Sequence, residues 1–427
     1  MGVSFREESF VVIELGSHTT RALMNTSDVN FSERKVIRTR CGQLKPVEEN
    51  EHEGSEAGSK MQATAAVDDG EPVINGEPAE KDDGSGDVIK DTEDNSYVFG
   101  SALEAADPST IERAVDFIDG EVVDWDMLSA FLRYVVTKEF SIKISDNGSP
   151  VLFSVPPLWP KTDLENLAQI AFEHLNAPAI LVTEQPLMAV YGNGAMTGLV
   201  IDIGHATTTV TPIIDSCVLT SSVQISSIGG QAVTQNLLQQ LQSDAGVVRQ
   251  NLLVRVKESG LCKLGAPGNA LETVEFKDGD KTYTLPTRIL HSAPQVLLTP
   301  SSEGSTPLTT MIRQAVLGSE IDKRPLLWDS IHLVGGSSRF PGLQEHLERE
   351  LEATVLPASN IFANSQTREI KFVPIPDYFN GWRNMGYRAS LLGASITAKI
   401  ALNDSKHNIT RTEYNENGPS IVHTKSY

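Results

Sequence analysis

Short continuous apolar runs alternate along this chain with longer stretches whose apolar residues recur every three or four positions. Runs at residues 9–15, 151–155, 179–182, 199–201 and 331–334 fit strands buried on both faces. Helical spacing marks Leu128, Phe131, Leu132, Val135 and Val136, then Leu164, Leu167, Ile170, Ala171 and Leu175. It returns at Val233, Leu237, Leu238 and Leu241, across 308–321, and at Leu343, Leu347 and Leu351. Residues 273–288 read as a β-hairpin turning at Asp278-Gly279. Buried strands interleaved with one-faced helices predict an α/β fold.

The pattern is densest from Leu181 to Pro212. An apolar strand leads to a short helix over 186–191, then glycines at 192, 194 and 198, then a second strand that delivers Asp202 into a turn at Gly204. The run Thr207-Thr208-Thr209 returns as a β-branched strand. A buried strand ending in Asp-x-Gly sets a carboxylate at its tip with backbone N–H groups behind it, a place for phosphate oxygens and a metal-bound water. Alone this motif is weak, since most such turns only reverse the chain. Two others accompany it. The strand at 9–15 runs into Gly16-Ser17-His18-Thr19-Thr20-Arg21, a hairpin tip with a hydroxyl at Ser17. The strand at 331–334 runs into Gly335-Gly336-Ser337-Ser338-Arg339-Phe340-Pro341-Gly342, where two glycines let the backbone approach a nucleoside and Phe340 is placed to cover a base.

Composition narrows the picture. The 427 residues allow two large domains, 40% are hydrophobic, and no run of 18 apolar residues predicts a membrane span. Arg6, Glu7 and Glu8 do not suit a signal peptide, and three scattered cysteines (Cys41, Cys217, Cys262) give no disulfide framework or metal spacing. A reducing cytosolic or nuclear compartment is expected. The net charge of −21 argues against a nucleic-acid backbone and for basic partners, Lys/Arg-rich helices or histone-like tails; solubility alone is the competing reading. Residues 44–96 carry −12 of that charge, with no hydrophobic period, and are expected to be disordered.

These motifs together resemble the nucleotide cleft of the actin superfamily, collinearly from about Ser4 to Tyr427. Pro157, Pro160, Lys161, Phe172, Pro178, Gln185 and Tyr191 match residue for residue, and 412–427 (TEYNENGPSIVHTKSY) nearly repeats actin's ending. The resemblance implies an actin/Hsp70-like ATPase fold, two lobes around a central nucleotide cleft. Lobe one would be 1–192 plus 378–427 and lobe two 193–377, with 44–96 replacing the small filament-contact subdomain. It places Gly16, Ser17, Arg21, Gln185, Asp202, Gly204, Lys257, Glu258, Gly335, Gly336, Ser337 and Phe340 around ATP, kept as a structural ligand if at all, and Tyr191 at the hinge among partner contacts. Gln185 would position the attacking water, and Lys257 and Glu258 would face base and ribose.

Departures cluster where the chemistry would be. Glu14 stands for the family's shorter acid, His18 for a loop glycine and Arg21 for a lysine, while His205, Ala206 and Thr209 replace Asp, Gly and His. Asn403 to His407 is polar where actin lines a groove with apolar residues. With its opening Phe-Arg-Glu-Glu-Ser, the chain looks like the divergent nuclear actin-related proteins of chromatin remodellers, the ninth fungal class in particular. That resemblance implies a nuclear, non-catalytic, non-filamentous scaffold subunit of a SWI/SNF or RSC type complex. Its partners would be a long basic helix of the remodelling ATPase, a second actin-related protein and histones. The competing classes are an ATP-binding switch with weak ATPase activity and a cytoskeletal actin-related protein.

Overall fold

The computed structural model describes residues 9–25, 32–45, 89–90, 96–107, 109–245, 250–265, 272–299, 305–355, 369–379, 381–402, 404 and 406–425. They group into two units, Met1–Cys41 with Val115–Tyr427, and Gly42–Ala114.

The larger unit is built on two sheets that repeat one plan. In the six-stranded sheet, the hairpin Phe10–Glu14 and Thr19–Asn25 pairs antiparallel, and Phe10–Glu14 runs parallel to Val151–Val155. In the second sheet, the hairpin Gly198–Ile203 and Thr208–Ile214 pairs antiparallel, and Gly198–Ile203 runs parallel to Ile331–Val334. The continuous apolar runs reflect this position: Phe10–Glu14 and Val151–Val155 are buried along their whole length. Two apolar clusters fill the unit. One joins Ile201, Val210, Leu237, Ile289, Ile312 and Leu347 under the second sheet. The other joins Val12, Leu152, Met188, Val190, Leu391 and Ala394. The lobe boundary expected at residue 192/193 falls inside this larger unit.

Helices Gln185–Gly192 and Ala389–Ala401 cross backbone to backbone. A Cβ on Gly192 would lie 2.0 Å from the Ala389 carbonyl oxygen, and one on Gly393 would lie 1.8 Å from that of Met188. Tyr191, in the last turn of Gln185–Gly192, is half-buried and packed on the second of the two clusters. Asp124 caps helix Trp125–Tyr134 by accepting from the Met127 N–H at 3.0 Å, so the helix starts after it. The helix expected across 308–321 stops earlier, at Leu308–Leu317, where the Arg324 guanidinium donates to the Leu317 carbonyl at 2.8 Å and caps the end.

The smaller unit holds most of a sheet ordered Ile89–Lys90, Ser96–Val98, Arg40–Leu44, Ile111–Asp116, and the short helix Gly100–Ala105. Of the tract expected to be disordered, 46–88 and 91–95 lie outside the described residues. Ile89–Lys90, within it, pairs with Ser96–Val98, so strand pairing begins before Tyr97 and the flanks carry a small sheet where none was expected. Asn403 and Ser405 of the polar run also lie outside the described residues.

Candidate functional site

The two hairpin tips and the turn after Ile331–Val334 open onto one cavity of about 240 Å³. Gly16, Ser17, Arg21, Gln185, Asp202, Gly204, Lys257, Glu258, Gly335, Gly336, Ser337 and Phe340 all line it, whereas Tyr191 does not. Each motif is local to one strand end, so the sheet plan brings them together. Gly335 adopts φ +91°, and a Cβ there would collide with Asp202 Oδ1 at 2.2 Å, so only glycine fits this crossing.

The polar groups of these residues are largely spent on the protein itself. Gln185 Nε2 donates to the Leu15 carbonyl at 2.6 Å and to that of Ser154 at 3.2 Å, so its amide nitrogen is turned from the cavity into the scaffold. Arg21 pairs with Glu14 across the first hairpin, and Ser390 Oγ donates to the other Glu14 oxygen at 2.8 Å. Lys257 Nζ donates to the Gly230 carbonyl at 3.0 Å, and burial pushes its pKa down to about 8. Ser337 Oγ donates to the Gly204 carbonyl at 2.8 Å. Ser17 Oγ accepts the Ala206 N–H at 3.1 Å, a direct bond between the two hairpin tips. Phe340, only 8% exposed, packs into the core beneath the second sheet. Asp202 stays partly open to the cavity, its carboxyl pushed up to about 6 by burial and by Glu14, against the pull of Arg21.

Two residues noted in the sequence only as departures dominate the geometry. His18 and His205 stack with ring centroids 4.2 Å apart and planes 18° from parallel. His18 Nε2 lies 3.2 Å from Glu258 Oε1 and must carry the proton, since a carboxylate only accepts. Glu258 in turn receives Arg38 through both nitrogens, at 3.2 and 3.1 Å. Burial, then His205, Arg38, Lys257 and Arg40, depress His18 to about 2. Burial, then Lys257 and Arg38, depress His205 to about 3. Both rings are therefore neutral at neutral pH. Arg38, Ser390 and Tyr387, which lies beneath the Arg339 guanidinium at 4.6 Å, were not singled out by sequence, because no local motif marks them.

A triphosphate needs room between the tips and free N–H groups on them. Here the imidazoles stand between the tips, Ser17 holds the Ala206 N–H, and Glu258 is taken by Arg38 and His18. The cavity of about 240 Å³ is also below the roughly 300–1,000 Å³ of ligand pockets in general. The site as built does not fit the structural ATP that the resemblance implies. The physical reason is that ring side chains stand at His18 and His205, where the family carries a glycine and an aspartate.

The chain matches the family described as Actin over residues 5–282 and 275–427. It is 30% identical to Actin-like protein 9 of Bos taurus over 328 residues, covering 72% of each chain. It is 29% identical to Actin-like protein 9 of Homo sapiens over 322 residues, again 72% of each. Against Actin-related protein 7 of Arabidopsis thaliana it is 26% identical over 390 residues, covering 87% of this chain and 98% of the relative. With the repeated hairpin-and-parallel-strand sheets and the converging loops, this chain belongs to the actin family.

Proposed function

We propose that this actin-related protein is a non-catalytic scaffold subunit of a nuclear ATP-dependent chromatin-remodelling complex of SWI/SNF or RSC type, supporting transcription regulation. It would hold a basic helix of the remodelling ATPase together with a second actin-related protein, histone tails being further basic partners. The observation that carries this reading is the stacked pair His18 and His205, whose rings stand between the two hairpin tips where a triphosphate would have to lie. Thr209 and Ala206 add no proton-handling group beside Asp202. The net charge of −21 suits a Lys/Arg-rich helix. Similarity to relatives named Actin-like protein 9 and Actin-related protein 7 supports an actin-related protein.

The test is purification of the tagged full chain from nuclear extract, with its stoichiometric partners identified by mass spectrometry. A remodelling ATPase plus a second actin-like protein is the expected result. Recovery with cytoskeletal complexes, or measurable ATP turnover by the isolated chain, would overturn the reading.

A further inference from the structure

Side chains from both sides of the cavity are joined directly to one another. His18, in the turn after Phe10–Glu14, and Arg38, the last residue of Ser32–Arg38, belong to the six-stranded sheet. His205, in the turn after Gly198–Ile203, belongs to the second sheet, and Glu258 ends helix Gln250–Glu258, which packs beneath that sheet. The imidazoles stack at 4.2 Å, His18 donates to Glu258, Glu258 takes both Arg38 nitrogens, and Ser17 accepts from the Ala206 backbone. We infer that His18, His205, Glu258 and Arg38 form a built-in clamp that holds the two sides of the cleft together independently of any nucleotide.

Charge explains why this set works. Arg38 and Lys257 bring positive charge close to both rings, and Arg40 brings it close to His18. Glu258 supplies one negative charge between the two sides. The rings fill the remaining width without adding charge, because a protonated ring would face His205 or His18 and the same cations. The glycines around them leave space for this packing: a Cβ on Gly229 would lie 2.4 Å from the His205 carbonyl oxygen, and one on Gly230 would lie 2.3 Å from Ser337 Oγ. A partner that requires one fixed cleft geometry would then find it at any ATP concentration. The clamp is a property of the cleft and stands or falls apart from the remodeller assignment.

The test uses the full chain in three forms of measurement. First, wild type is incubated with millimolar Mg-ATP and followed by thermal unfolding and equilibrium dialysis. Unchanged Tm and no retained nucleotide are expected; a rise of about 3 °C or more with retention would overturn the clamp. Second, H18A, H205A and the double variant form a cycle. Each single variant is expected to lower Tm by about 2 °C or more, and the double to fall little below the worse single, since either removal breaks the same stack. Additive losses, or none, would overturn it. Third, H18G combined with H205D is expected to gain a Tm rise from Mg-ATP that wild type lacks. Should the variants not fold, hydrogen exchange of wild type at residues 16–18 and 204–206 decides. Protection unaffected by Mg-ATP supports the clamp, and protection gained on adding it refutes it.

Discussion

His18, His205 and His332 are neutral for a shared reason, burial, and this gives the protein a pH dependence of defined sign. Their pKa values fall from 6.5 to about 2, 3 and 4. A group depressed in the folded state contributes stability that is full above its unfolded pKa and is lost as pH falls, because the unfolded chain then binds protons the folded one refuses. Stability should therefore decline from pH 6.5 downward, each ring contributing at most about 1.4 kcal/mol per pH unit. Asp202, pushed up to about 6, acts in the opposite sense, so the informative quantity is the difference between wild type and the H18A/H205A variant. Urea unfolding at pH 7.5 and 5.5 should show wild type losing about 1–3 kcal/mol more than the double variant over that interval. Equal losses would mean the rings are not held neutral. At Gln185, replacement by Leu takes the donor from the Leu15 carbonyl, while the Ser154 carbonyl keeps the Leu15 N–H at 3.1 Å, and a loss of about 1–3 kcal/mol is expected by the same unfolding measurement. The family resemblance placed His18, His205 and Gln185 around one site, but not His332. It did not show which groups each would bond, since those partners lie in distant strands and helices.

At the scale of elements, strands were legible almost to the residue, because a run buried on both faces leaves few alternatives: 151–155 is an example. The turns at Gly204 and Gly335 were legible for the same local reason. Helix ends were less so. The helix expected to reach 321 stops at Leu317, whose carbonyl takes the Arg324 guanidinium, a partner that periodicity cannot announce. The crossing of Gln185–Gly192 with Ala389–Ala401 was likewise hidden, although Gly192 and Gly393 were visible as residues. Glycine in a helix interior is normally a cost, so Gly393 inside Ala389–Ala401, facing Gly192 at the end of the other helix, signals close backbone approach. Gly393→Ala places a methyl 1.8 Å from the Met188 carbonyl oxygen, which forces the helices apart. A loss of about 3 kcal/mol is expected despite alanine's better helix propensity. A stabilised variant would mean that the helices separate freely.

For the whole molecule the governing quantity is charge. Residues 44–96 hold −12 of the −21, so the rest of the chain carries −9. Charge of this kind acts first on encounter: an acidic surface draws in a basic helix from beyond contact distance, while the bound complex is held by packing and close hydrogen bonds. The two contributions separate in kinetics. Deleting residues 46–88 should slow association with a Lys/Arg-rich helical peptide, the class of partner proposed above, by about tenfold at low salt, with the dissociation rate changed little. The difference should shrink as ionic strength rises through physiological values, where the Debye length falls to about 8 Å. Surface plasmon resonance over a salt series measures both rates. If deletion instead raised the dissociation rate with association unchanged, the tract would be part of the bound interface. If neither rate moved, the deleted tract would serve solubility alone, and recognition of a basic helix would rest on the −10 that the deletion leaves.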